Sequence, residues 1–144
     1  MKQRIEGLEA RFGFVLDICD MRFGRPENMS HGSLGTAEFG SFPPVAHPLV
    51  WKHPVSGRKS LMVGPLHLIE MLGMDRDEGD PLLAELVAHA TDDRFAYFHD
   101  WELDDMVLWD NWRTMHMAFG TPPEYHREVQ RTSMRGEHDM GRLL

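Results

Sequence analysis

The sequence predicts a mainly β fold with covering helices, in the α+β class, on three observations. Short apolar runs separated by polar breaks recur over residues 49–134, as expected for strands. A leucine-rich stripe follows Asp80-Pro81, and a second apolar stripe lies near the N-terminus, so one or two helices should cover the strands. A chain of 144 residues is long enough for one modest domain.

The N-terminal segment, residues 1–22, is predicted to form a helix over about residues 3–20. Its apolar side chains recur at spacings of three and four, which places them on one helix face. They are Ile5, Leu8, Phe12, Val15, Leu16 and Cys19. Such a face needs a partner surface.

Residues 23–48 are rich in Gly, Pro, Ser and His and have no clear periodicity. An unstructured loop of this length is unusual inside a compact domain. The segment is therefore interpreted as either a functional lid or a poorly ordered loop.

A hairpin is predicted next, with strands over residues 49–53 and 59–63. The connecting residues 54–57 end in Gly57, which can adopt the positive φ that such a turn often requires. Asp80 is then predicted to cap a helix that has Pro81 at its first position and ends near Thr91.

Four further apolar runs are predicted as strands that complete a sandwich-like fold. They span residues 94–101, 106–109, 114–119 and 125–134. Short polar breaks rich in Asp and Asn separate the first three, and Pro122-Pro123 precedes the last.

Composition excludes several classes of protein. The net charge is -8, with 23 acidic against 15 basic residues, which argues against nucleic-acid binding. Cys19 is the single cysteine, so an intramolecular disulfide is excluded. No apolar run approaches the ~18 residues that indicate a membrane span, and the N-terminus lacks the apolar core of a signal peptide. We therefore expect a cytoplasmic protein with no membrane or nucleic-acid partner.

Strand alternation would place Thr114, His116 and Ala118 on one face, where small neighbours leave room for a ligand beside the imidazole. The more common role of a lone histidine in an apolar strand is that of a hydrogen-bonded core residue. Arg127 and Arg131 would likewise share a face, and guanidinium groups bind carboxylates bidentately. The alternative for these arginines is an exposed edge or an ion pair with a neighbouring glutamate.

Six residues in the C-terminal part of the chain match a known motif in order and spacing. They are Trp109, Asp110, Asn111, His116, Arg127 and Arg131. With flanking matches over residues 47–137, they resemble the C-terminal half of taurine dioxygenase-like (TauD/TfdA) iron and 2-oxoglutarate oxygenases. The flanking matches include residues 53–54, 57–61 and 88–91. Trp112 stands where many members have Arg.

The resemblance implies that residues 49–144 form the C-terminal part of a double-stranded β-helix, a jelly roll of the clavaminate synthase-like type. It implies Fe(II) as cofactor and 2-oxoglutarate as cosubstrate, with His116 as an iron ligand. Arg127 would hold the distal carboxylate of 2-oxoglutarate, and Arg131 an anionic group of a small-molecule substrate. Trp109, Asp110 and Asn111 would support the pocket.

The chain contains no His-x-Asp sequence, which supplies the other two iron ligands in this family. His99-Asp100 and His138-Asp139 are adjacent pairs, whose side chains would point to opposite faces of a strand. We therefore expect an incomplete β-helix, a truncated dioxygenase that is inactive alone. Self-association would cover its exposed sheet edges. The alternative is a non-catalytic anion-binding or interaction module of the same fold.

Overall fold

The structure is a computed structural model that describes residues 2–15, 17–24, 42–118, 121–122 and 124–144. These residues form two α-helices, α1 (Lys2–Ile5) and α2 (Arg76–Ala90). They also form six strands: β1 (Glu9–Phe12), β2 (Val45–Pro48), β3 (Val50–Lys52), β4 (Lys59–Leu61), β5 (Leu68–Met71) and β6 (Arg142–Leu143). Single 3-10 turns lie at Ile18–Asp20, Pro65–His67 and Asp93–Phe95.

The strands form two antiparallel sheets. One has four strands in the order β5-β1-β2-β6, and the other is the hairpin of β3 and β4. The fold is therefore mixed α and β with antiparallel strands, as predicted at the level of class. The jelly roll that the resemblance implies stays a prediction.

The core lies where α2 packs against β5. Leu82, Leu83, Leu86 and Val87 form the buried face of α2, and Leu83 is fully buried. Gly79 permits the close approach, because a Cβ at this position would lie 2.8 Å from the Cβ of Met71. No helix in the described parts of the chain is both long and apolar enough to cross a membrane.

The predicted start of α2 at Pro81 is wrong, whereas its predicted end at Thr91 is confirmed. The helix begins at Arg76, and Asp75 is the residue before it. Asp80 is not a cap, because it lies inside the helix, where its Oδ2 accepts a hydrogen bond from Arg22 at 2.6 Å. Acidic residues in the first turn, Asp77 and Glu78, favour the earlier start through the helix dipole.

The predicted helix over residues 3–20 is also wrong. Helix α1 ends at Ile5, and Gly7 follows with a φ of +80° that continues the chain away from the helix. Strand β1 then buries Ala10 completely, flanked by the half-exposed Glu9 and Arg11. The alternation of apolar and charged residues in this stretch has the period of a strand, which competes with the helical spacing.

The predicted hairpin is confirmed. Strands β3 and β4 pair from Val50 opposite Leu61 to Lys52 opposite Lys59, and Gly57 has a φ of +67°. Most of the segment 23–48 lies outside the described residues. Its last four residues form β2, so the predicted loop is wrong there.

The strands predicted within residues 94–134 are wrong for the described part of this segment. Beyond the 3-10 turn at Asp93–Phe95 the described residues form neither helix nor strand up to β6. Large apolar side chains are exposed, among them Leu103 and Met106 at 93% and 94%. A strand requires a neighbouring backbone as a hydrogen-bond partner, and no described strand pairs with this segment.

Candidate functional site

The candidate site is built on a turn that Asp110 organises. The main-chain oxygen of Asp110 accepts hydrogen bonds from the amides of Arg113 and Thr114, at 3.1 and 3.0 Å, and from the Thr114 hydroxyl at 2.8 Å. Its carboxylate Oδ1 accepts from the Trp112 amide at 2.9 Å. Asp side chains favour such turns because they accept from nearby backbone amides. The polar break predicted after residue 109 is thus a tight turn.

The turn brings three of the predicted site residues together. The indole Nε1 of Trp109 donates to Oδ1 of Asn111 at 2.8 Å, and the Trp109 ring lies 4.8 Å from the His116 ring between centroids. His116 itself is exposed. The predicted strand alternation around it is wrong, because residues 114–118 form no strand, and Met115 and Met117 are also exposed, at 43% and 56%.

Arg127 and Arg131 lie in an exposed irregular segment, so the predicted strand face that they would share is wrong. No hydrogen bond or ion pair joins either guanidinium to any residue that the structure describes, Glu128 included. Both groups are therefore available to an anion. The structure does not bring them into contact with His116.

An iron site of this family needs three side chains that converge on one metal ion. No group of three His, Cys, Asp or Glu side chains in these residues is arranged to hold a metal ion. Around His116 the ring contact comes from Trp109, whose indole is not a metal ligand. The described residues therefore do not form a complete iron site.

A match to a protein-family model decides the family of the chain. The model for "Taurine catabolism dioxygenase TauD, TfdA family" matches residues 2–133. The chain belongs to the TauD/TfdA family. The match includes the Asp110 turn, His116 and both candidate arginines, and it extends beyond the predicted resemblance at the N-terminal side.

Curated relatives agree with the TauD/TfdA match. The chain is 38% identical over 108 residues to the alpha-ketoglutarate-dependent 2,4-dichlorophenoxyacetate dioxygenase of Burkholderia sp. (strain RASC), covering 72% of this chain and 36% of the relative. It is 34% identical over 118 residues to the (S)-phenoxypropionate/alpha-ketoglutarate-dioxygenase of Sphingobium herbicidovorans, covering 82% and 40%. An alpha-ketoglutarate-dependent sulfate ester dioxygenase of Pseudomonas putida is 34% identical over 99 residues, covering 66% and 31%. The chain thus spans about a third of the length of these relatives.

The TauD/TfdA motif also contacts a residue to which the sequence analysis gave no role in the site. His53, at the end of β3, is 9% exposed, and its Nε2 lies 3.1 Å from Oδ2 of Asp110. Ser60 of β4 donates to the main-chain oxygen of Trp112 at 3.3 Å. The hairpin therefore holds the motif turn in place. The available signal was the pair His53-Pro54 at a predicted turn.

The sequence predictions also overlooked one His-x-Glu sequence, which is formed by His126 and Glu128. It has the spacing of the TauD/TfdA iron pair with Glu in place of Asp. Both side chains are exposed, and they belong to no described cluster of metal-binding groups. The spacing alone therefore does not add an iron site.

Two grooves of the described surface lie away from the TauD/TfdA motif. One is lined by Phe12, Phe14, Phe42, His47 and His67, and it contains none of the predicted site residues. His67 stacks on Phe14 with ring centroids 5.4 Å apart, and its partial burial lowers its pKa below the ordinary value for histidine.

Proposed function

We propose that this chain contributes to an Fe(II)/2-oxoglutarate-dependent dioxygenase. In the proposed reaction, oxygen and 2-oxoglutarate give succinate and carbon dioxide, while the second oxygen atom hydroxylates a small acidic substrate. The observation that carries the proposal is the TauD/TfdA match over residues 2–133, which contains His116, Arg127 and Arg131 together. It favours a dioxygenase over a non-catalytic module of the same fold.

His116 is the proposed iron ligand of this chain. Its ring is exposed, and no hydrogen bond with another described residue occupies either nitrogen. An imidazole in this state can bind a metal ion through one nitrogen. Fe(II) sites of this class require two histidines and one carboxylate, so the described residues alone do not complete the site.

Arg127 is proposed to bind the distal carboxylate of 2-oxoglutarate, and Arg131 the acidic group of the substrate. Both guanidinium groups are exposed and have no described partner. Two relatives are named for phenoxy carboxylic acids and a third for sulfate esters, and all of these compounds are anions. A planar guanidinium binds a carboxylate or a sulfate bidentately, which supports an acidic substrate.

The first experiment uses the purified chain with Fe(II), 2-oxoglutarate and oxygen. Because one ligand does not hold iron productively, we expect no succinate above the level of a reaction without protein. Robust succinate formation that disappears in His116→Ala would contradict the proposed inactivity of the chain alone.

The second experiment tests the assigned roles in a chimera. Residues 2–133 of this chain replace the matching segment of the Burkholderia relative, and succinate is measured with 2-oxoglutarate and 2,4-dichlorophenoxyacetate. We expect His116→Ala to abolish turnover. Arg127→Ala should raise KM for 2-oxoglutarate, and Arg131→Ala should raise KM for the phenoxyacetate.

Arg58→Ala is the matched control in the chimera, because Arg58 is an exposed arginine within residues 2–133 to which no role in the site is assigned. Its kinetic constants should equal those of the unmodified chimera. A folded chimera that keeps full turnover with His116→Ala would refute the proposed role of this histidine.

A further inference from the structure

His53 is the buried polar side chain of the described chain, and the proposed chemistry gives it no role. Its ring lies at the end of β3, between the hairpin loop and the motif turn. On the loop side, Nδ1 lies 3.2 Å from the amide nitrogen of Val55 and 3.0 Å from that of Ser56. On the other side, Nε2 lies 3.1 Å from Oδ2 of Asp110.

These contacts determine which ring nitrogen of His53 carries the proton. Backbone amides are donors, so Nδ1 must accept both hydrogen bonds and cannot itself hold a proton. The proton of the neutral ring therefore lies on Nε2, which donates it to the carboxylate of Asp110. The loop thus orients the donor toward the motif.

Asp110 uses its two carboxylate oxygens for different partners. Oδ2 accepts from His53 on the hairpin, and Oδ1 accepts from the Trp112 amide within the turn. The adjacent Trp109 contacts the His116 ring at 4.8 Å. A continuous series of contacts therefore runs from the buried histidine to the exposed one.

We propose that His53 is a positioning residue, which holds Asp110 and thereby fixes the Trp109 ring against the His116 imidazole. Hydrogen bonds to an ionised carboxylate are stronger than neutral ones, which suits a link that crosses between separate parts of the chain. Groups that orient metal ligands indirectly are a general requirement of metal sites. Only the iron-binding role of His116 rests on the proposed function; the link itself does not.

The test uses the full chain, labelled with ¹⁵N, and NMR spectra of its histidine rings. In the unmodified protein we expect an unprotonated Nδ1 and a protonated Nε2 on His53, together with a nuclear Overhauser effect between the rings of Trp109 and His116. A proton on Nδ1 of His53 would overturn the proposal.

Two substitutions separate the functions of the His53 nitrogens. In His53→Asn, the side-chain oxygen can replace Nδ1 as acceptor for the loop amides, but the side chain is too short to reach Asp110. In His53→Gln, the longer amide can donate to Asp110. We expect the contact between Trp109 and His116 to be lost in the Asn variant and retained in the Gln variant.

His138→Asn is the matched control, because the His138 ring, like that of His53, lies 5.6 Å from the Trp112 ring, but His138 has no bond to Asp110. It should leave the contact between Trp109 and His116 unchanged. Should His53→Asn fail to fold, Asp110→Ala gives the same test, since it removes the carboxylate that accepts from Nε2. An unchanged contact in a folded His53→Asn or Asp110→Ala variant would overturn the proposal, whether or not the chimera is active.

Discussion

Two regions of the molecule differ in how their residues are held. The first, which we call the core region, comprises the described residues from 2 to 90 and contains the buried apolar side chains, from Ile5 to Val87. The second, the motif segment, comprises the described residues from 94 to 134, where no side chain is buried. The proposed ligand-binding residues all lie in the motif segment.

The difference shows that packing and motif geometry have separate physical sources in this chain. The core region is stabilised by burial of leucine and valine side chains between α2 and β5. The motif segment is ordered by local hydrogen bonds around Asp110 and by its link to the hairpin through His53. Substitutions in the two regions should therefore have unequal effects on stability.

The largest effect is expected from Leu83→Ala, because Leu83 is fully buried on α2. Removing a buried leucine side chain leaves a cavity and lowers the free energy of unfolding by about 2–5 kcal/mol. Leu103→Ala is the matched control, because Leu103 is 93% exposed. This substitution should change the free energy of unfolding by less than about 0.5 kcal/mol. Urea denaturation of both variants measures the difference, and equal losses would remove the distinction between the regions.

The next effect is expected from Gly57→Ala in the hairpin that joins the two regions. Gly57 has a φ of +67°, and an L-residue other than glycine is strained there by about 1–2 kcal/mol. Gly64→Ala is the control, because Gly64 has a φ of -52° and open space around its Cα. The midpoints of urea denaturation should fall for the first variant and stay constant for the second. A loss in Gly64→Ala as large as in Gly57→Ala would contradict the conformational explanation.

Local signals account for the parts of the fold that the sequence predicted correctly. The hairpin follows from two short apolar runs around Gly57, and the end of α2 follows from its leucine spacing. The helix predicted over residues 3–20 failed because the stretch around Ala10 also has a period of two, and pairing of β1 with β2 and β5 favours the strand. Nothing within that stretch shows which partners are near.

The candidate site was predictable to a similar extent. The contacts among Trp109, Asn111 and His116 lie within a short stretch, where local spacing can indicate that residues are near each other. The bond between His53 and Asp110 joins residues 57 positions apart, so no local pattern reveals it. Where the arginines lie relative to His116 likewise depends on tertiary pairing, which spacing alone does not determine.

A smaller effect on the free energy of unfolding is expected when alanine replaces either of two glycines with similar steric surroundings. An added Cβ would lie 2.8 Å from the Met71 Cβ at Gly79, and 2.7 Å from the Trp112 ring at Gly136. Overpacking costs about 1–3 kcal/mol, and the gain in helix propensity at Gly79 offsets up to about 1 kcal/mol of it.

Gly136→Ala should cost less than Gly79→Ala, because the Trp112 side chain can rotate away while the Met71 Cβ is fixed by the sheet. Urea denaturation measures both losses, and tryptophan fluorescence should change in Gly136→Ala alone. A larger loss in Gly136→Ala than in Gly79→Ala would show that the Trp112 ring of the motif segment is packed as firmly as the core region.

The smallest effect concerns the pH dependence of stability in the core region. Partial burial lowers the pKa of His67 in the folded protein, and its Nδ1 accepts from the Val15 amide at 3.3 Å. His67 therefore binds a proton more readily in the unfolded chain than in the folded protein. This contribution to stability is fully present above the unfolded pKa of about 6.5 and is lost as the pH falls from there toward the folded value.

His67→Asn removes the titrating group while its side-chain oxygen can still accept from Val15. Urea midpoints measured between about pH 8 and pH 5 should fall less for this variant than for the unmodified protein. His126→Asn, in the exposed motif segment, should follow the unmodified protein, because no described contact involves its ring. Parallel pH profiles for His67→Asn and the unmodified protein would show that burial of this histidine does not couple protonation to folding.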